Sequence, residues 1–152
     1  MLRLVTVPIL LLTCIKGNAM SLLNTGKVCT FSQITGHITY NGQPVKNALI
    51  KRSADWKSKI EDQTITDDSG SFQLPLMSEI SPSKFSIEEM VITQKLTVEY
   101  ENKDYTIWLN TKMNADINSE LGGAKLNLTC ELTDEPVFYE DFGPLLETSC
   151  KW

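Results

Sequence analysis

A chain of 152 residues with 41% hydrophobic content has room for one domain and a real core. Its formal net charge of −5 at pH 7 argues against a phosphate-binding surface, because nucleic-acid affinity rests on clustered Lys and Arg. The single histidine, His37, rules out a multi-histidine zinc centre.

Residues 1–19 read as a secretory signal: Arg3, an apolar run from Leu4 to Leu12, then Gly17-Asn18-Ala19 as a small-residue cleavage site. The run is too short to span a bilayer. Leu11-Leu12-Thr13-Cys14 approximates a lipoprotein site, but Thr13 stands where Gly, Ala or Ser is expected. The alternative is a mis-called start upstream of Met20, since Lys16-Gly17 can be encoded by a ribosome-binding sequence. The first case expects a periplasmic or secreted protein and the second a cytoplasmic one. Either way residues 20–152 form a single domain, with a core over 28–133 and a tail over 134–152.

The chain is organised around Gly36 to Pro75. Ile34, Gly36, Ile38 and Tyr40 share one parity and Thr35, His37 and Thr39 the other, the period of a half-buried strand. Asn41-Gly42 tolerates positive φ and sets a tight reversal, and Pro44 belongs at the turn or the start of the next strand. Ala48 and Ile50 face inward, and Lys51 to Asp62 reads as a polar loop. Thr64-Ile65-Thr66 leads to the turn Asp67-Asp68-Ser69-Gly70, after which Phe72 and Leu74 point inward.

The order G-x-I-x-x-N-G-x-P-V-x-x-A-x-I, then T-D-D-S-G-S-F-x-L-P, resembles the carboxypeptidase regulatory-like domain of the transthyretin-like (prealbumin) group. The full chain, including ELTDEP and the final CKW, is also similar to an uncharacterised family of small bacterial proteins built on this module. The resemblance implies an all-β fold, a single antiparallel β-sandwich of about seven strands with a long irregular C-terminal tail. It implies no activity. Two enzyme groups sharing the sandwich, the intradiol dioxygenases and the transthyretin-related hydrolases of ureide metabolism, need histidines that this chain lacks.

From Met77 to Met90 the text is a surface excursion around Ser81-Pro82 with room for one helical turn. Ile92, Leu96, Val98 and Tyr100 form one strand face, Glu101 to Asp104 a turn, and Tyr105, Ile107 and Leu109 the partner face of a β-hairpin. Trp108 lies on the opposite face, either covering a sheet or exposed. Residues 111–123 form a polar connection and Ala124 to Leu132 the last patterned strand. The tail fits no strand or helix period. Its Phe138, Tyr139, Phe142, Leu145, Leu146 and Trp152 either tie it down or meet a partner.

Chemistry is sparse. His37 reads as a solvated imidazole, and no nucleophile elbow accompanies any Ser or Cys. Asn114, Asp116, Asn118 and Glu120 before Gly122-Gly123 loosely resemble a calcium loop, but the sharp-turn glycine and closing bidentate Glu are missing, and a polar loop is the plain alternative. A Lys–Asn isopeptide, found in related adhesin sandwiches, lacks its lysine between Cys29 and Gln33. Lys46, Lys51, Arg52, Lys57 and Lys59 against an acidic C-terminal end read as solvated surface. Cys130 shares a parity with Leu126, Leu128 and Leu132 and reads as a buried core thiol, while Cys29 and Cys150 are the candidate disulfide.

The expectation is therefore a non-enzymatic module without cofactor, metal or integral membrane segment, binding another protein rather than nucleic acid. Its candidate contact residues are Trp56, Phe138, Tyr139, Phe142 and Trp152, by the enrichment of aromatics at interfaces. One alternative is an immunity or accessory protein of a bacterial toxin or secretion system. The other is a carbohydrate or cell-wall binding module using exposed aromatics.

Overall fold

Period-two apolar runs separated by turn residues fold into an almost wholly β structure in the computed structural model, which describes residues 26–80 and 90–152. The expected signal segment and Ser81-Pro82 lie outside the described residues. In chain order the strands are β1 (Lys27–Phe31), β2 (Ile34–Tyr40), β3 (Gln43–Pro44), β4 (Leu49–Asp55), β5 (Lys59–Ile65), β6 (Ser71–Leu74) and β7 (Met77–Ile80). They continue with β8 (Ile92–Tyr100), β9 (Lys103–Lys112), β10 (Leu126–Glu131), β11 (Val137–Tyr139), β12 (Leu146–Thr148) and β13 (Cys150–Lys151). A 3-10 turn, Ser119–Leu121, precedes β10.

Among the described residues a six-stranded sheet has the order β11-β12-β9-β8-β4-β5, and a five-stranded sheet the order β13-β10-β2-β3 with β6 also on β2. One core cluster draws Ile34, Ile38 and Leu128 from the smaller sheet and Ile50, Leu96 and Trp108 from the larger. The result is the all-β sandwich expected, its pairings antiparallel except for β2 with β10. β1 and β7 pair separately, beside the main sheets. None of the described helices is long and apolar enough to cross a membrane.

Two positions follow the chemistry of their residues. Asn41 and Gly42 both take positive φ (51° and 74°) between β2 and β3. Gly36 is required for a different reason: a Cβ there would lie 2.3 Å from Phe72 Cε1, so the Phe72 ring occupies the space a side chain would need.

Four expectations are corrected. The supposed polar loop from Lys51 to Asp62 lies almost wholly in the β4–β5 hairpin, in register from Leu49↔Ile65 to Asp55↔Lys59. Arg52 hides the pattern, because it occupies an inward position between Ile50 and Ala54 and is only 1% exposed. Its guanidinium forks onto the Asp62 carboxylate, donates to the carbonyls of Ser32 (3.2 Å) and Pro75 (2.6 Å), and stacks on Phe31.

The second correction concerns β9. Leu96 faces Trp108 but Thr97 faces Thr106, so one extra residue at Ile107 resets the parity. Ile107 and Trp108 are both buried, and Asn110 and Lys112 turn inward where Leu109 was expected.

Third, the tail is not irregular. β12 lies against β9 and β11 against β12; one residue later β13 lies against β10. The chain thus crosses from one sheet to the other at Ser149. Leu146, Thr148 and Cys150 are buried, and Thr148 Oγ1 donates to the Ile107 carbonyl at 2.6 Å. Last, Cys150 bonds to Cys130 rather than Cys29, so Cys130 is not a free core thiol. Cys130 and Cys150 are direct register partners 4.2 Å apart at Cα, whereas Cys29 sits on β1 in a separate sheet.

Candidate functional site

Most of the aromatic residues singled out in the tail converge. Tyr139 and Trp152 have ring centroids 5.1 Å apart, Phe142 and Trp152 5.5 Å, and Tyr139 and Phe142 6.4 Å, packed tilted or edge-on. The cluster stands beside β11, which ends the six-stranded sheet and pairs on one side with β12. Val137 is 53% exposed, Phe138 50% and Trp152 44%, and the exposed acids Glu135, Glu140 and Asp141 flank them. Phe138 alternates to the face opposite Val137 and Tyr139, so both faces of this edge carry apolar surface. Trp56 does not join them. It lies in the β4–β5 turn at the opposite edge of the sheet, half-buried against the core, with Lys57 Nζ 4.8 Å over its ring.

A second constellation had no counterpart in the sequence reading. The bulge in β9 aims Lys112 inward, and the 3-10 turn, flanked by left-handed Asn118 (φ 61°) and Gly122 (φ 63°), aims Glu120 at it. Glu120 Oε1 accepts from Ser32 N (2.9 Å), Gln94 Nε2 (3.0 Å) and Lys112 Nζ (3.1 Å), and Oε2 from Ser32 Oγ (2.7 Å). Burial pushes this carboxyl up, but the Lys112 charge and the Ser32 and Gln94 hydrogen bonds outweigh it and hold it below its ordinary range. Lys112 spends its remaining donors on the Asp116 carbonyl (2.8 Å) and Cys29 Sγ (3.4 Å).

This geometry replaces the calcium-like loop. Glu120 faces the interior, Asp116 turns its carbonyl to Lys112, and Asn114 Oδ1 accepts from Asp116 N at 2.7 Å. Among the described residues, no three His, Cys, Asp or Glu side chains gather as a metal-binding group.

His37 lines an open groove of about 620 Å³ together with Thr35, Asp67, Ser71, Asn127 and Thr129. His37 and Ser71 are register partners across β2 and β6. Asp67, however, is committed to its turn: Oδ1 accepts from Ser69 Oγ (2.7 Å), Ser69 N (2.8 Å) and Ser71 N (2.9 Å). The Ser69 hydroxyl, the Ser71 amide and the smaller influence of His37 hold its carboxyl low. Ser71 Oγ in turn bonds Ser69 Oγ at 2.9 Å, so Asp67 and Ser71 are both engaged in the turn that precedes β6.

A family model described as a domain of unknown function (DUF6795) matches residues 34–135, well over half of the chain. The chain belongs to this family. The DUF6795 segment opens at the first residue of β2 and closes just before β11, so it contains Lys112, Glu120 and Cys130. Cys29, Cys150 and the aromatic cluster lie outside the match. No curated protein and no solved structure matches the chain.

Proposed function

We propose that this DUF6795 chain is a non-catalytic binding module that takes an extended segment of a partner protein along the outer edge of β11. One observation carries the reading: a sheet-ending strand that bears half-exposed Val137 and Phe138 and stands beside the Tyr139–Phe142–Trp152 cluster. Edge strands offer N–H and C=O groups to an added strand, and alternate side-chain contacts supply specificity. The acids Glu135, Glu140 and Asp141 favour a partner segment bearing Lys or Arg. An immunity or secretion-accessory role is a narrower form of the same reading. Carbohydrate binding is less well supported, because the rings pack edge-on against one another and Lys57 covers Trp56.

The carboxypeptidase regulatory-like type of sandwich belongs to this proposal too. Its support is the pair of turns, Asn41-Gly42 closing β2 and Asp67 to Gly70 opening β6. Export is the companion proposal, supported by the Cys130–Cys150 bond, since disulfides persist in oxidising compartments.

Photo-crosslinking tests the docking edge. A photoreactive residue at position 138 is expected to trap one discrete protein in the native cell, and a Val137→Asp change in the same chain to reduce that product several-fold. A matched probe at position 56 is expected to trap nothing of that mass. Equal trapping from both positions, or none from 138, overturns the reading.

A further inference from the structure

Cys29 is the free cysteine of the described residues, and two reactive groups stand beside it. Lys112 Nζ lies 3.4 Å from its sulfur and Ser32 Oγ 3.5 Å. Both Cys29 and Lys112 are buried, so the pair is held by packing rather than by chance encounter on the surface. Cys29 also forms part of the wall of a recess of about 480 Å³ that Lys27, Leu76, Ser78, Asp116 and Ile117 help to line. Oxidation of a thiol by peroxide needs access, which the recess beside Cys29 offers, and a nitrogen in contact decides what the resulting sulfenic acid meets.

We infer that Cys29 and Lys112 form an oxidative modification site, where a peroxide joins Cys29 Sγ covalently to Lys112 Nζ as a sulfenamide. In the first step Sγ attacks one peroxide oxygen. The Sγ–O bond forms, the O–O bond breaks, and the departing hydroxide leaves as water with the thiol proton. Glu120 Oε1, 3.1 Å from Nζ, then takes one ammonium proton and frees the nitrogen lone pair. Nζ attacks the sulfenic sulfur, the Nζ–Sγ bond forms, and the Sγ–O bond breaks. The second hydroxide leaves as water with a proton from Nζ. Peroxide is reduced to two waters, the sulfur is oxidised, and Glu120 ends protonated. Sulfenic acids condense with nitrogen in this way when one is held against them, and here the nitrogen is already in contact. The product ties β1 to the end of β9 and abolishes the buried ion pair.

The test is hydrogen peroxide treatment of the full chain with Cys130–Cys150 intact, followed by intact mass and an unreduced peptide map. The expected result is a chain lighter by two hydrogen atoms, with one linked peptide joining Cys29 to Lys112. Lys112→Arg is expected to divert the reaction, leaving Cys29 heavier by one or more oxygen atoms. The native chain alone decides the matter even where that variant fails to fold. Cys29 that gains oxygen without linking, or that stays unchanged in peroxide sufficient to oxidise glutathione, overturns the inference.

Discussion

Arg52 occupies a core position that the alternation of β4 assigns to an aliphatic side chain, and its contacts reach β5, the β1–β2 connection and the residue after β6. Asp62 keeps 29% of its side chain in water, but truncating Arg52 also strands the Ser32 carbonyl in the interior, so Arg52→Ala is expected to cost at least about 1–3 kcal/mol, read as a lower denaturant midpoint. Arg52→Met, which refills the volume, is expected to recover part of that loss. Glu131 carries a different prediction. It accepts from Thr133 Oγ1 (2.7 Å), Thr39 Oγ1 (2.8 Å) and the amides of Asn41 and Gly42 (both 2.9 Å). Burial pushes its carboxyl up, but these donors prevail and bring it down to about 2 from an ordinary 4.5. A carboxyl held low in the folded chain stabilises the fold above its ordinary value, and that stability fades as pH falls from about 4.5 toward 2. Glu120 acts in the same direction. The melting temperature is therefore expected to drop across that window, and Glu131→Gln to lower it at neutral pH while making the acid limb shallower. An unchanged limb would detach Glu131 from acid stability. Neither residue announces itself in the sequence: Arg52 reads as one more surface cation, and Glu131 as part of an acidic chain end, because a linear pattern carries charge without its partners.

At the scale of elements, what could be read was what spans at least two full periods. The β8–β9 hairpin, β2 and β10 follow from their alternation, and the Asn41-Gly42 reversal from its residue types. The bulge at Ile107 was not legible, since Tyr105, Ile107 and Leu109 show unbroken alternation and only packing of Trp108 resets it. That one residue also decides whether Lys112 faces water or Glu120, so the buried constellation was hidden with it. β12 and β13 are three and two residues long, too short to display a period. They nonetheless bind the two sheets together, which makes the tail a part of the fold. Leu146→Ala is expected to cost about 2–5 kcal/mol. Removing residues 136–152 is expected to abolish cooperative thermal unfolding; a truncated chain that still melts in one sharp transition would show β12 and β13 to be dispensable.

Over the whole molecule, strand alternation together with the family resemblance was enough for an all-β sandwich, and the cysteine count was not enough for its cross-link. Three cysteines beyond Met20 leave the pairing open until β13 is placed against β10. That bond closes a separation of 20 residues, and chain entropy alone makes it worth roughly 3 kcal/mol. Protein recovered from native cells with thiols blocked at lysis is expected to show one blocked cysteine among Cys29, Cys130 and Cys150. Three blocked cysteines would place the chain in a reducing compartment, and Cys150→Ser would then be nearly neutral there. The parallel seating of β10 on β2 also has a bearing on time. Thr35 and Asn127 face each other across 92 residues of sequence, while β4–β5 and β8–β9 close over a few. The short-range hairpins can form within microseconds, but the smaller sheet must wait for a long-range encounter, which puts the chain among the slow-folding β proteins, in the range of about milliseconds to seconds. During that interval the exposed edges of the finished hairpins stand open, so the rate at which β10 finds β2 governs how long the unfinished molecule is open to self-association.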